Sequence, residues 1–139
     1  MRNIISNSIL NFGLIFSTLL LLMSMGNFYS NIINDDRVYY SFMYGIRESM
    51  IYGVETCRNL GFNSSICIKL SVPTRFIGFR VSIFRNSLIF YCDRGEFKLD
   101  LPNLIDVCYV DSSVNLSREF IFLCISNFDG RITVYLQPF

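Results

Sequence analysis

The sequence contains neither histidine nor tryptophan. Without histidine, it lacks the side chain that most often acts as a general base and as a neutral metal ligand near neutral pH. Without tryptophan, it lacks the indole rings on which carbohydrate sites are built. The remaining acid–base candidates show no spacing that suggests paired carboxylates or metal ligands; they are Glu48, Glu55, Asp93, Glu96 and Asp106. We therefore expect a protein that is not an enzyme, with no cofactor, no metal and no small-molecule substrate.

Excess charge is also missing, because 12 basic and 11 acidic residues leave a net charge of +1. The basic residues are scattered singly, and no basic surface is expected that would neutralise the phosphates of a nucleic acid. We therefore expect no nucleic-acid partner. In contrast, 52% of the residues are hydrophobic. Such a composition indicates that a bilayer or a large buried interface surrounds part of the chain.

The longest uncharged run lies between Arg2 and Asp35. Within it, residues 19–23 are consecutively apolar, so a helix here is apolar around its whole circumference and not on one face only. The run is long enough to span a bilayer. We predict that residues 4–25 form a helix that requires apolar surroundings on every side. The core residues of this apolar helix are Ile4, Ile5, Ile9, Leu10, Phe12, Gly13, Leu14, Ile15, Phe16, Leu19, Leu20, Leu21, Leu22 and Met23.

The flanking charges suggest an orientation for this segment. Arg2 precedes it and Asp35 and Asp36 follow it, so the positive-inside rule places the N-terminus in the cytoplasm and the rest of the chain outside. The expected location is therefore the cell surface. Two alternatives stay open. The segment could be an ordinary buried core helix, or it could be a cleavable secretory signal, since Ser24 and Gly26 are small residues at the two positions that a signal peptidase reads.

Apolar residues continue at helical spacing from Phe28 to Val54, with charged residues on the opposite side. Gly61, directly after Leu60, is a typical helix C-cap. The sequence therefore predicts a first domain, residues 1–60, formed by one long helix. Its residues 4–25 are the apolar core and its residues 26–60 are amphipathic.

After the helix, the spacing of apolar residues changes from helical to alternating. Residues 66–72 and 77–83 alternate as half-buried strands do. Turn residues recur about every ten positions, as at Arg85 and Asn86 and at residues 127–130. We expect six or seven short strands in a second, β-rich domain, residues 61–139.

The predicted fold class is therefore α+β, a long N-terminal α-helix followed by a small antiparallel β-sheet or β-sandwich. One open face of the sheet requires a cover, because a sheet with one apolar face is stable only when that face is buried. Residues 39–54 of the helix supply an apolar face of suitable length.

Five cysteines are many for a chain of this length, and none forms a CxxC pair or a zinc-binding spacing. All of them lie beyond residue 50, on the predicted outer side, where disulfides persist. The disulfide candidates are Cys57, Cys67, Cys92, Cys108 and Cys124. A bond between Cys57 and Cys67 would fasten the end of the helix to the first strand. Any two of the other three cysteines could form a second disulfide, and the sequence does not choose between them. The alternative is that these three are buried thiols.

Two asparagines match the acceptor pattern for N-glycosylation. Asn63 is followed by Ser64 and Ser65, and Asn115 is followed by Leu116 and Ser117. Both are expected in loops on the outer side. The alternative is that they are ordinary turn residues.

An apolar helix that becomes amphipathic and then leads into a β-domain resembles the type IV pilin fold, and more particularly the archaeal pilins and archaellins, which carry class III signal peptides. The resemblance covers the whole chain. Its most suggestive local feature is Pro73 followed by the Ile77-Gly78-Phe79 strand and by a hairpin turn at Asn86. This succession is similar to an archaeal pilin pattern of proline, isoleucine-glycine-aromatic strand and asparagine turn.

The resemblance implies a structural subunit of a type IV pilus-like or archaellum-like filament on the cell surface. In that mechanism the helix first resides in the membrane and is then extracted into a helical homo-polymer, in which neighbouring helices replace lipid. The core residues of the apolar helix, Ile4 to Met23, would then be the filament-core residues. The alternative is a single-pass membrane-anchored minor pilin or extracytoplasmic binding domain that does not form the filament body.

Overall fold

The structure is a computed structural model, which describes the backbone of residues 2–139 and the side chains of residues 13–27 and 36–139. It begins with one α-helix, α1 (Arg2–Leu60), and continues with eight strands and a short 3-10 helix at Thr74–Phe76. The strands are β1 (Ser64–Ser71), β2 (Arg80–Phe84), β3 (Ser87–Cys92), β4 (Gly95–Asp100), β5 (Val107–Tyr109), β6 (Ser112–Asn115), β7 (Phe120–Phe128) and β8 (Arg131–Pro138).

The chain divides into two compact units, Met1–Val38 and Tyr39–Phe139. The second, called the β unit below, contains all eight strands together with residues 39–60 of α1. The division falls inside α1, so the part of the helix that belongs to the β unit is a short segment.

The helix ends at the glycine expected to cap it. Gly61 has a φ of +86°, and its N–H donates a hydrogen bond to the Arg58 carbonyl oxygen at 3.2 Å. Glycine reaches this left-handed conformation without the steric cost that a Cβ imposes. The predicted C-cap at Gly61 is confirmed.

Two tight turns join neighbouring strands as the sequence predicted. Arg85 and Asn86, between β2 and β3, have φ values of 46° and 60°, and Asp129 and Gly130, between β7 and β8, have values of 54° and 84°. Positive φ at both central residues is the signature of a type I′ turn, whose twist matches that of the flanking strands. Each turn therefore sets the register of its hairpin.

The strands form two four-stranded sheets. Sheet A has the order β1-β7-β8-β5, and sheet B has the order β4-β3-β2-β6. All pairings are antiparallel except that of β5 with β8, which is parallel. The sheets meet where β8 lies beside β6, and there the Leu136 N–H donates a hydrogen bond to Ser112 Oγ at 3.0 Å.

Within the β unit, one face of α1 is buried against both sheets. Toward sheet B, the Tyr39 ring lies 5.4 Å from Phe90 of β3 and 4.7 Å from Phe97 of β4. Toward sheet A, Gly53 approaches Ile125 of β7. The buried helical side chains recur every three or four positions, as one face of a helix requires; they are Met43, Ile46, Met50, Val54 and Cys57. The helix thus covers residues of two sheets and not the open face of one.

Gly53 marks the closest approach between α1 and sheet A, and its substitution gives a first prediction. A Cβ at Gly53 would overlap Ile125 Cδ1 and would lie 3.1 Å from Ile68 Cδ1. Gly53→Ala is expected to lower the free energy of unfolding by about 1–3 kcal/mol, because overpacking outweighs the helix propensity of alanine. Denaturant unfolding of the two proteins measures the difference.

Gly45→Ala is the matched control, since Gly45 also lies in α1 and a Cβ there would meet nothing within 4 Å. This variant is expected to gain up to about 1 kcal/mol from helix propensity. Equal effects of the two substitutions would show that Gly53 does not sit against the sheet as described.

The predicted fold class is corrected in two respects. The strands form two four-stranded sheets that include a parallel pair, and not one small antiparallel sheet or sandwich. The helical part falls into two shorter segments that belong to different units, one up to residue 38 and one at residues 39–60, and it is not the one long helix expected of a type IV pilin-like fold. Periodicity reports the local conformation of the backbone, and it does not report where tertiary packing begins. The mixture of helix and strands agrees with the α+β part of the prediction.

Candidate functional site

Residues 13–27, called the apolar segment below, present large apolar side chains on every side of α1. Their exposed fractions range from 49% at Met25 to 69% at Leu22. Because each residue advances by about 100° around a helix axis, the exposed run at 19–23 alone passes through a full turn. The exposed residues are Leu14, Ile15, Phe16, Leu19, Leu20, Leu21, Leu22, Met23 and Met25.

The other predicted core residues differ in what the structure describes of them. Gly13 is exposed, and a Cβ added to it would meet nothing within 4 Å. The side chains of Ile4, Ile5, Ile9, Leu10 and Phe12 lie outside the described residues. Among the described residues, no helix is both long and apolar enough to cross a membrane.

Two hydroxyl groups of the apolar segment, those of Ser17 and Thr18, are hydrogen-bonded within the helix itself. Thr18 Oγ1 donates to the carbonyl oxygen of Leu14 at 2.8 Å or of Ile15 at 2.9 Å, and Ser17 Oγ lies 3.2 Å from the Leu14 oxygen. Serine and threonine in transmembrane helices use the same bond to the preceding turn. These hydroxyls therefore do not need water, and the segment can be buried in apolar surroundings without leaving them unpaired.

The acid–base candidates remain scattered in the β unit. The structure describes Glu48 and Glu55 on the exposed side of α1, and Asp93, Glu96 and Asp106 are exposed in and around the strands. In the described part of the chain, no three histidine, cysteine, aspartate or glutamate side chains lie together as metal ligands would. The buried Tyr109 hydroxyl donates to the Pro102 carbonyl oxygen at 2.8 Å, and burial raises its pKa. The buried hydroxyl of Tyr109 is therefore paired within the β unit.

The tyrosines of α1 that lie in the β unit differ in how far they are packed against the sheets. The Tyr39 ring stacks 5.3 Å from Phe76, and Tyr40 meets Phe97 edge-on at 5.6 Å. Tyr44 and Tyr52 are 46% and 68% exposed. Within the β unit, Tyr39 thus packs on the sheet, Tyr40 contacts the sheet while 37% exposed, and Tyr44 and Tyr52 lie on the surface.

Both glycosylation candidates are accessible, and their glycosylation stays a prediction. Asn63 is exposed in the turn between α1 and β1, with a φ of 60°. Asn115 is exposed at the end of β6, opposite Arg80 of β2, and therefore on a strand rather than in the expected loop.

The cysteines are distributed differently from the expected arrangement. Cys57 is buried, and its Sγ lies 3.5 Å from Ser64 Oγ and 3.7 Å from the Ile125 carbonyl oxygen. Cys67, its expected partner, faces Cys124 instead, with the two sulfurs 2.7 Å apart. Cys92 is half-buried and Cys108 is exposed. The described cysteines are all free thiols, and no disulfide joins any two of them.

The juxtaposition of Cys67 and Cys124 is the feature that the sequence did not reveal. The two residues are 57 positions apart, and they meet because the register of β1 with β7 places them directly opposite. Alternation with apolar neighbours indicated the face of the strand that Cys67 occupies, but strand pairing at this distance has no local signal. In comparisons with protein-family models, curated proteins and solved structures, nothing matches this chain.

Proposed function

We propose that this protein is a structural subunit of an extracellular filament that polymerises through its N-terminal helix. One observation carries the proposal, the exposure of large apolar side chains on every side of the apolar segment. Isolated apolar side chains on a protein surface are normal, but a continuous patch of this kind marks an interaction site. A role in assembly accounts for it, and catalysis does not.

The all-round distribution of these side chains favours several neighbours over one. Covering a half-exposed side chain of this size contributes about 1 kcal/mol, so covering the whole segment contributes on the order of 10 kcal/mol. Association itself costs about 4–15 kcal/mol. A single partner covers only one side of a helix and recovers part of that energy. A filament core, in which several sister helices surround each copy, recovers most of it.

Small residues in the apolar segment allow such helices to approach closely. Gly13 and Ser17 are four positions apart and lie on the same side of the helix, and Ser24 follows on that side three turns after Gly13. Interfaces between apolar helices are rich in small residues, because these let the backbones meet. Contacts between different surfaces of successive copies do not close into a ring, and they give an open fibre.

In this proposal the helix resides in the membrane before assembly, and the β unit faces the outside of the cell. Acyl chains and sister helices satisfy an apolar surface equally well, so transfer from the bilayer to the filament core needs no change in the segment. A membrane-anchored domain that never polymerises is the competing function, and the same segment would then remain in lipid.

Removal of detergent distinguishes the two functions. The full chain is purified in detergent, which is then dialysed away, and the material is sedimented and viewed by negative-stain electron microscopy. We expect fibres of uniform width in the pellet. Amorphous aggregates without detergent, together with full recovery of the chain as monomers in added lipid vesicles, would contradict the filament and favour the anchored domain.

A further inference from the structure

Two cysteines lie opposite each other on neighbouring strands of sheet A. Cys67 of β1 and Cys124 of β7 are register partners, and their sulfurs are 2.7 Å apart. A disulfide has a sulfur–sulfur bond of about 2.05 Å, so the sulfurs need to approach by only about 0.7 Å. Among the described cysteines, this is the pair that the fold brings within bonding reach.

The two thiols differ in their access to solvent. Cys67 is exposed, whereas Cys124 is 2% exposed and lies beside Gln137, whose Oε1 is 3.4 Å from the Cys124 sulfur. Burial, with a further contribution from the neighbouring Cys67, raises the pKa of Cys124 to about 12. A small disulfide in solution therefore reaches Cys67 first, and Cys124 is held close behind it.

We propose that Cys67 and Cys124 form an intrachain disulfide by exchange with a low-molecular-weight or protein disulfide, with Cys67 as the attacking thiol and Cys124 as the resolving thiol. The Cys67 thiolate attacks one sulfur of the oxidant and releases the other as a thiol, which leaves a mixed disulfide on Cys67. The Cys124 thiol then loses its proton and displaces the second thiol. The two cysteines are oxidised, and the oxidant disulfide is reduced to two thiols.

This bond would secure the strand that directly follows the helix. β1 is an edge strand of sheet A, and its partner in the sheet is β7. A covalent link between the two strands prevents β1 from separating when force is applied through α1. The inference depends on the geometry of the β unit alone, and it is independent of whether the chain forms a filament.

Peptide mapping after equilibration with oxidised glutathione tests the pairing in the intact chain. We expect digestion without reduction to release a peptide pair that joins Cys67 to Cys124, and two fewer reactive thiols than in the reduced chain. We also expect reduction to lower the Tm by roughly 10 °C. A full complement of free thiols after equilibration, or a dominant link between other cysteines, would overturn the proposal.

Two serine variants test the order of attack, and Cys108→Ser serves as a control because Cys108 is also exposed but has no cysteine opposite it. With oxidised glutathione, Cys124→Ser is expected to accumulate a mixed disulfide on Cys67, to at least about ten times the level that Cys67→Ser shows on Cys124. Cys108→Ser is expected to form the internal disulfide as the parent does. Equal accumulation in the first two variants would overturn the assigned order.

Discussion

Leu21→Lys is expected to abolish polymerisation in the absence of detergent while the β unit stays folded. Leu21 is 63% exposed at the middle of the apolar segment. A lysine at the centre of an apolar helix costs about 2.5–3.5 kcal/mol, which corresponds to roughly a hundredfold rise in the concentration at which subunits assemble. Because Leu21 lies outside the β unit, the packing of the sheets should not change.

Sedimentation of the variant and the parent over a range of concentrations measures this effect. Leu21→Met is the matched control, since methionine keeps the size and the apolar character of the side chain. We expect the control to assemble like the parent, and both variants to show the same far-ultraviolet circular dichroism. Polymerisation of Leu21→Lys at the parental concentration would mean that the apolar segment is not the core of the assembly.

Phe90→Ala is expected to produce the largest loss of stability in the β unit. Phe90 is fully buried in β3, and its ring lies 5.4 Å from Tyr39, 6.0 Å from Phe42, 5.2 Å from Phe76 and 5.8 Å from Phe79. Truncation of a buried phenylalanine costs about 3–5 kcal/mol, because apolar burial is lost and a cavity remains. The same change removes the contacts of Tyr39 and Phe42 with the Phe90 ring, and it leaves the contacts of α1 with Phe97 of sheet B in place.

Thermal unfolding, followed by the near-ultraviolet circular dichroism of the tyrosines, gives the magnitude. We expect the Tm of Phe90→Ala to fall by roughly 15 °C or more. Phe128→Ala is the control, because Phe128 is 74% exposed at the end of β7, and its Tm should change little. Similar losses in both variants would show that the aromatic cluster does not form the core between α1 and sheet B.

The features that were predictable from sequence are those with a local cause. Gly61 ends the helix because glycine accepts a positive φ. Arg85 and Asn86 form a hairpin turn after the alternating run of residues 77–83, and both the turn and the run are visible in the local sequence. The exposed apolar segment was also visible, since no residue in it is charged.

The features that were missed depend on contacts between distant residues. β6 is a strand because residues 112–115 pair with β2, although its sequence, Ser-Ser-Val-Asn, has little strand propensity of its own. The parallel pairing of β5 with β8 likewise has no local signal. The same holds for Cys67 and Cys124, which meet only through the register of β1 with β7. Local sequence therefore indicated most of the elements and the two hairpins joined by tight turns, and it did not indicate the pairing of strands that are distant in the sequence.

The fluorescence of a single tryptophan placed in the apolar segment tests most directly whether sister helices bury that segment. The chain has no tryptophan of its own, so the introduced residue is the sole source of tryptophan emission. Leu21→Trp reports on the segment, and Tyr52→Trp reports on an exposed position of α1 in the β unit. In detergent-free, lipid-free assemblies, we predict blue-shifted emission from Leu21→Trp that resists quenching by acrylamide, and ready quenching of Tyr52→Trp. If acrylamide quenched both equally, the apolar segment would be in contact with water, and the proposed filament core would be wrong.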